Sequence, residues 1–121
     1  MRISGVKVNN LLVWNKAHKL TINIYKTTKD FPKDEQYGLV SQMRRASTSI
    51  PSNIVEGKSR GSTKEFKRFL LIARGSLEEL KYYIILSKDL NYIAYNEYEK
   101  LLNKAREVGR LLNGLLVSLN K

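Results

Sequence analysis

At 121 residues the chain is long enough for one domain and too short for two comfortable cores, and the absence of cysteine excludes a disulfide framework. No apolar run approaches the roughly 20 residues of a membrane span. Charge is the one outlier: 22 Lys+Arg against 11 Asp+Glu leave a formal net charge of +11, a balance that attracts polyanions and also keeps a protein in solution. The excess is uneven, since residues 1–33 hold seven Lys/Arg against Asp30 alone. The N-terminus lacks the apolar core and cleavage site of a secretory signal, so a cytoplasmic protein without a membrane partner is expected.

Residues 1–10 have no period and are expected to form a flexible leader, with a single domain over residues 11–121. From Leu11 a helical period sets in, with Trp14, Ala17, Thr21, Ile24, Tyr25 and Thr28 on one face. Opposite them Lys16, Lys19, Asn23 and Lys26 recur at steps of three and four, and Lys29 and Lys33 follow. Such a stripe is either a solvated face or one that contacts phosphates. His18, near the stripe's edge, has no partner at metal-ligand spacing and reads as structural.

Phe31 and Pro32 break this helix, and a second is expected over residues 34–56. Its stripe of Leu39, Met43, Ala46, Ile50 and Ile54 stays in phase across Pro51. A proline inside a helix removes one backbone hydrogen bond and costs roughly 3 kcal/mol, so the pattern predicts a helix kinked at Pro51. Ser47, Thr48 and Ser49 are at hand for the freed carbonyls. The other side carries Arg45, Ser49, Ser52 and Glu56, with Asn53 beside them: a wet face or a contact surface. Gly57 and Gly61 are expected to stop the helix. The GKSRG connection lacks the order of a phosphate loop, and residues 62–65 have the spacing of a capping box.

The third helix, expected over residues 63–90, is apolar on two sides. One stripe is Phe66, Phe69, Leu70, Ala73, Leu77, Leu80 and Ile84; the other runs Arg68, Ile72, Gly75, Glu79, Tyr82 and Leu86. A chain this short cannot wrap a helix on all sides, so a partner subunit is the economical expectation. Gly75 agrees with it, because a mid-helix glycine costs about 1 kcal/mol relative to alanine and suits a close backbone approach. The fourth helix, residues 97–119, with Asn96 and Glu99 as a cap-like start, buries a regular stripe from Tyr98 to Leu119 and turns Lys100, Asn103, Glu107 and Arg110 outward. The fold class is all-α: an antiparallel up-down-up-down four-helix bundle.

Catalytic chemistry finds little to work with. There is one histidine, no ExxH pair, and Glu78 and Glu79 are adjacent and so diverge. The expectation is no catalytic residue, no metal ligand and no cofactor.

The blocks QMRRA (42–46), SIPSNIVEG (49–57), Arg60, EFKRF (65–69) and ARGSLEEL (73–80), in that order, resemble the hallmarks of the four-helix bundle family encoded by intervening sequences of 23S rRNA genes. Val13, Trp14, Ala17, Tyr25, Phe31, Pro32 and residues 38–42 match upstream, while Val55 stands where the family favours a smaller residue. The resemblance implies a small bacterial cytoplasmic protein that assembles as a homopentamer. It also implies kinship with accessory proteins of diversity-generating retroelements, which bind nucleic acid and contact a reverse transcriptase. Carried over by position, Arg45, Ser49, Asn53, Glu56, Gly57, Arg60, Gly75, Ser76 and Glu79 occupy motif positions. With Ile72 they are expected at the oligomer interface. Two readings follow. One is an oligomeric, non-enzymatic RNA- or DNA-binding accessory protein that uses Lys16, Lys19, Lys26, Arg44, Lys64, Lys67 and Arg74. The other is an oligomeric protein-interaction scaffold whose charge serves only solubility.

Overall fold

Over residues 8–120, which this computed structural model describes, the chain forms four α-helices and one 3-10 turn, and no strand. The helices are α1 (Val8–Thr28), α2 (Leu39–Ser59), α3 (Thr63–Asp89) and α4 (Tyr95–Leu119), with the 3-10 turn at Lys33–Glu35. The expected leader lies outside the described residues as far as position 7, and α1 takes in residues 8–10. Each helix packs on its neighbours in the chain, and α1 closes the ring on α4. Cross-helix pairs run in opposing sequence order: Thr27 meets Glu97 and Lys16 meets Glu107, while Arg45 meets Glu79 and Ser49 meets Ser76.

The stripes read in the sequence form the core. Leu39, Met43, Ala46, Ile50 and Ile54 of α2 and Phe66, Phe69, Leu70, Ala73, Leu77, Leu80 and Ile84 of α3 are all buried. In α1 the inward face is Val13, Trp14, Ala17, Leu20, Thr21, Ile24 and Thr28, whereas Tyr25, expected inside, stays exposed and receives the Arg44 guanidinium over its ring at 4.6 Å.

The second helix begins five residues later than expected and ends three later. Pro32 opens the 3-10 turn, and Glu35 then accepts the Leu39 amide at 3.1 Å, so its carboxylate starts α2 where residue 34 was expected to. Gly57 does not stop the helix. It is buried inside α2, where an added Cβ would fall 2.6 Å from the Phe69 Cβ, and this missing side chain is what lets α2 and α3 close on each other. The stop is Gly61, at φ +79°, followed by Ser62, whose hydroxyl accepts the Glu65 amide at 3.1 Å as its spacing predicts. At the other end of α3, Asn91 takes the left-handed conformation (φ 64°). The amides of Asn91 and Tyr92 then return to the carbonyls of Lys88 and Ser87, closing a Schellman turn. The fourth helix starts two residues early, at Tyr95 after Ala94, so Asn96 lies within its first turn and does not cap it.

Helix α2 continues through Pro51. The carbonyl that loses its partner is that of Ser47, four residues back, and the side chain that repairs it belongs to another helix: the buried Thr21 hydroxyl of α1 donates to Ser47 O at 2.8 Å. The nearby hydroxyls expected to do this are occupied elsewhere, Ser47 with Arg44 O and Thr48 with the carbonyls of Arg44 and Arg45.

Candidate nucleic-acid interface

Helix α1 buries one face, which leaves the opposite face to present Lys16 and Lys19 one turn apart and Lys26 two turns further on. The structure brings all three to one place, a cleft of about 370 Å³ between α1 and α4, and adds Lys104 from α4. Lys16 leans on Glu107 at 3.5 Å, while Lys19, Lys26 and Lys104 have no carboxylate within ion-pair distance among the described residues. Four ammonium groups facing one carboxylate across a shared cleft can hold a phosphate oxygen from either helix. Lysine suits that work as a hydrated point charge, without demanding the planar geometry of guanidinium pairing.

The other expected cations scatter. Arg44 is drawn into the fold: its Nε donates to Thr28 Oγ1 at 3.0 Å and its Nη2 to the Tyr25 carbonyl at 3.3 Å, where it ties α2 to the last turn of α1 and complements that helix's negative end. Lys64 and Lys67 sit on the opening turns of α3, in neither of the basic clefts. Arg74 donates to Asn113 Oδ1 at 3.1 Å across a second cleft, of about 240 Å³ between α3 and α4, where it joins Lys81, Arg106 and Arg110. Sequence reasoning passed over Lys81, Lys104, Arg106 and Arg110. The signal available was the outward period of α4, in which Lys100, Lys104 and Arg110 recur, but the cleft partners come from helices distant in sequence.

The family-motif residues form a seam between α2 and α3 inside one chain. Arg45 reaches Glu79 at 2.6 Å, Ser49 and Ser76 share a hydrogen bond of 2.8 Å, and the Asn53 amide donates to the carbonyl and hydroxyl of Ser49. Glu56 pairs with Arg60 at 3.5 Å, Arg60 lies 5.0 Å over the Phe69 ring, and Gly57 admits Phe69. Glu79 also accepts the Tyr83 hydroxyl at 2.7 Å, and this bond, with burial and the carboxylate's charge behind it, pushes the phenol above its ordinary range. Ile72 and Gly75 stay outside the seam: Ile72 is 41% exposed, and an added Cβ on Gly75 would meet nothing within 4 Å. With Leu71, Tyr82 and Ile85 they leave an exposed apolar strip along α3. No group of three or more His, Cys, Asp or Glu side chains stands ready for a metal among the described residues. No described helix is long and apolar enough to cross a membrane.

Residues 9–114 match the family model described as 23S rRNA-intervening sequence protein. Among solved structures, a protein of unknown function from the S23 ribosomal protein family of Bacteroides thetaiotaomicron is similar at 25% identity and a TM-score of 0.83, over 90% of this chain and 98% of that one. A search of curated proteins finds no match.

Proposed function

Because the chain belongs to the 23S rRNA-intervening sequence protein family, an assignment that leaves its activity open, we propose that it is a self-associating, non-enzymatic cytoplasmic protein that binds nucleic acid through phosphate contacts, with little regard to sequence. The observation that carries this reading is the cleft between α1 and α4, where Lys16, Lys19, Lys26 and Lys104 face Glu107 alone. A cluster of cations facing one carboxylate attracts the phosphates of a nucleic acid, and it has no base-reading device beside it among the described residues: they form no strand to carry stacking aromatics, and the sequence has no cysteine for a zinc finger. Self-association, most simply the family's pentamer, is supported by the apolar strip of α3, and copies of one cleft on a closed assembly add by avidity.

The test is the salt dependence of binding. For a single strand, log affinity falls with log salt at a slope of about −0.7 per phosphate neutralised. Replacing Lys16, Lys19 and Lys26 together by Gln flattens that slope and leaves helix content unchanged, because the three side chains line an open cleft outside the core. No retention of RNA or DNA by the wild type at about 50 mM salt, where the electrostatic contribution is strong, defeats the reading in favour of a scaffold whose charge only confers solubility.

A further inference from the structure

Helix α4 is flanked by two basic clefts of matching composition. On the α1 side Lys16, Lys19, Lys26 and Lys104 surround Glu107; on the α3 side Arg74, Lys81, Arg106 and Arg110 surround Glu78. Each therefore sets four cations against one carboxylate, and in each the carboxylate is taken by a single lysine, Lys16 at 3.5 Å from Glu107 and Lys81 at 3.3 Å from Glu78. Six cations remain, three a side, with no carboxylate in ion-pair range among the described residues. The clefts also lie at overlapping levels, since α4 supplies Lys104 and Glu107 to one and Arg106, Gly109, Arg110 and Asn113 to the other. The stretch from 104 to 113 is roughly 13 Å of helix axis. Gly109 lines the α3-side cleft: an added Cβ there would crowd Leu77 Cδ2 at 3.3 Å, so the glycine lets α4 pack closely on α3, with Lys81 Nζ in ordinary contact range at 3.8 Å.

We propose that α4 is a ridge that enters the major groove of a B-form DNA duplex, with the two clefts receiving the phosphates of the two strands that border the groove. The inference rests on the nucleic-acid reading above and narrows it to one form. A single strand offers one line of phosphates and can satisfy one cleft at a time; two charge-matched clefts separated by one helix call for two lines of phosphate. An α-helix with its side chains is about 10–12 Å across, and the B-form major groove is about 12 Å wide. The A-form major groove of duplex RNA is deep and too narrow for this entry. The outward face of α4 carries Lys100, Asn103, Glu107 and Arg110, with Arg106 exposed beside it; Lys16 holds the Glu107 carboxylate at 3.5 Å, which leaves a polar crest able to lie among base edges without selecting a sequence.

The experiment uses the full-length wild-type protein, a DNA duplex of about two helical turns, its separated strands, and an RNA duplex of the same sequence, each titrated over a range of salt. The expected result is at least tenfold tighter retention of the DNA duplex than of single strands or duplex RNA. Its salt slope is expected near −5, about −0.9 for each of the six free cations. Two variants divide the slope. Lys19, Lys26 and Lys104 to Gln empties one cleft, Arg74, Arg106 and Arg110 to Gln the other, and each removes about half of it. Lysine at the same three arginine positions preserves it. Equal affinity for single strands and duplex, or an α3-side variant that binds the duplex with an unchanged slope, overturns the proposal while leaving phosphate binding in the α1 cleft intact. Absence of binding to every nucleic acid at low salt removes both. The comparison among the wild type's four ligands needs no variant to fold.

Discussion

At the scale of single residues, two glycines that look alike in the sequence do opposite things. Gly57 ends an apolar period and precedes a polar connection, which is the local signature of a helix stop, yet it lies inside α2 against the Phe69 Cβ. Alanine at Gly57 gains about 1 kcal/mol of helix propensity. It also places a methyl 2.6 Å from that Cβ and 3.4 Å from the Phe66 carbonyl oxygen, atoms fixed to the α3 backbone. Overpacking of this kind costs about 1–3 kcal/mol, so Gly57→Ala is expected to destabilise the fold on balance. Gly114→Ala, on α4 with nothing within 4 Å of its added Cβ, is expected to stabilise it by up to about 1 kcal/mol. Urea unfolding of the two variants reads both signs, and a Gly57→Ala protein as stable as the wild type refutes the close-approach account. The sequence marked Gly57 and Gly61 alike as helix stops but carried no local trace of which one meets Phe69, because that contact is set by how α3 folds back. Asn91 is a similar case: its left-handed conformation follows from the end of α3, and asparagine is the non-glycine residue that tolerates it best.

Between elements, the repair of Pro51 decides how α1 and α2 are joined. The apolar phase from Leu39 to Ile54 correctly foretold one helix through the proline, because burial of five side chains outweighs the loss of one hydrogen bond. What local sequence could not reveal was the source of the replacement donor, 26 residues away in the chain. Thr21→Val keeps the shape and removes the donor, leaving the Ser47 carbonyl buried without a partner, at a cost of about 1–3 kcal/mol. With alanine at position 51 the backbone amide returns and the same carbonyl is satisfied within α2. The cost of Thr21→Val is therefore expected to shrink to a few tenths of a kcal/mol in the Pro51→Ala background, beyond the roughly 0.5 kcal/mol within which independent sites add. A double-mutant cycle by urea denaturation measures this coupling directly. Additive losses would mean that Thr21 serves α1 alone, through its other bond to the Ala17 carbonyl at 3.0 Å. The late start of α2 has the same origin, since the Glu35 carboxylate holds both the Leu39 amide and, at 2.8 Å, the Tyr92 hydroxyl from beyond α3.

For the whole molecule, periodicity in the sequence was enough for the four helices and, Tyr25 apart, their buried faces; of the second stripe expected on α3, Ile72, Gly75 and Tyr82 lie on the exposed strip, while Glu79 turns to Arg45 and Leu86 packs against the core. Periodicity was not enough for the basic surface, where the charge excess pointed to α1 but the clefts exist only where α4 lies against α1 and α3. The motif residues have neighbours that periodicity could not name, for a related reason. Arg45, Ser49, Ser76 and Glu79 face away from the core, and only the packing of α2 on α3 reveals that they face each other. The apolar surface that α3 leaves exposed is the strip of Leu71, Ile72, Tyr82 and Ile85, which are 47, 41, 57 and 37% exposed, with Gly75 between them. A strip of this kind separates folding from assembly. Asp at Ile72 costs the single chain little, since the side chain is already in water, but buries an unpaired charge if two copies meet there. Leu at Gly75 has open space in one chain and gains close to 1 kcal/mol of helix propensity, yet it fills the gap through which a second backbone would approach. The proposed assembly therefore predicts a mass well above the 14.0 kDa chain by light scattering at tens of micromolar, and a smaller species for both variants. Helix content stays unchanged, and Gly75→Leu raises the stability of the dilute chain while it weakens association. A wild type that scatters as a monomer removes the assembly; variants that keep the wild-type mass move the contact off α3.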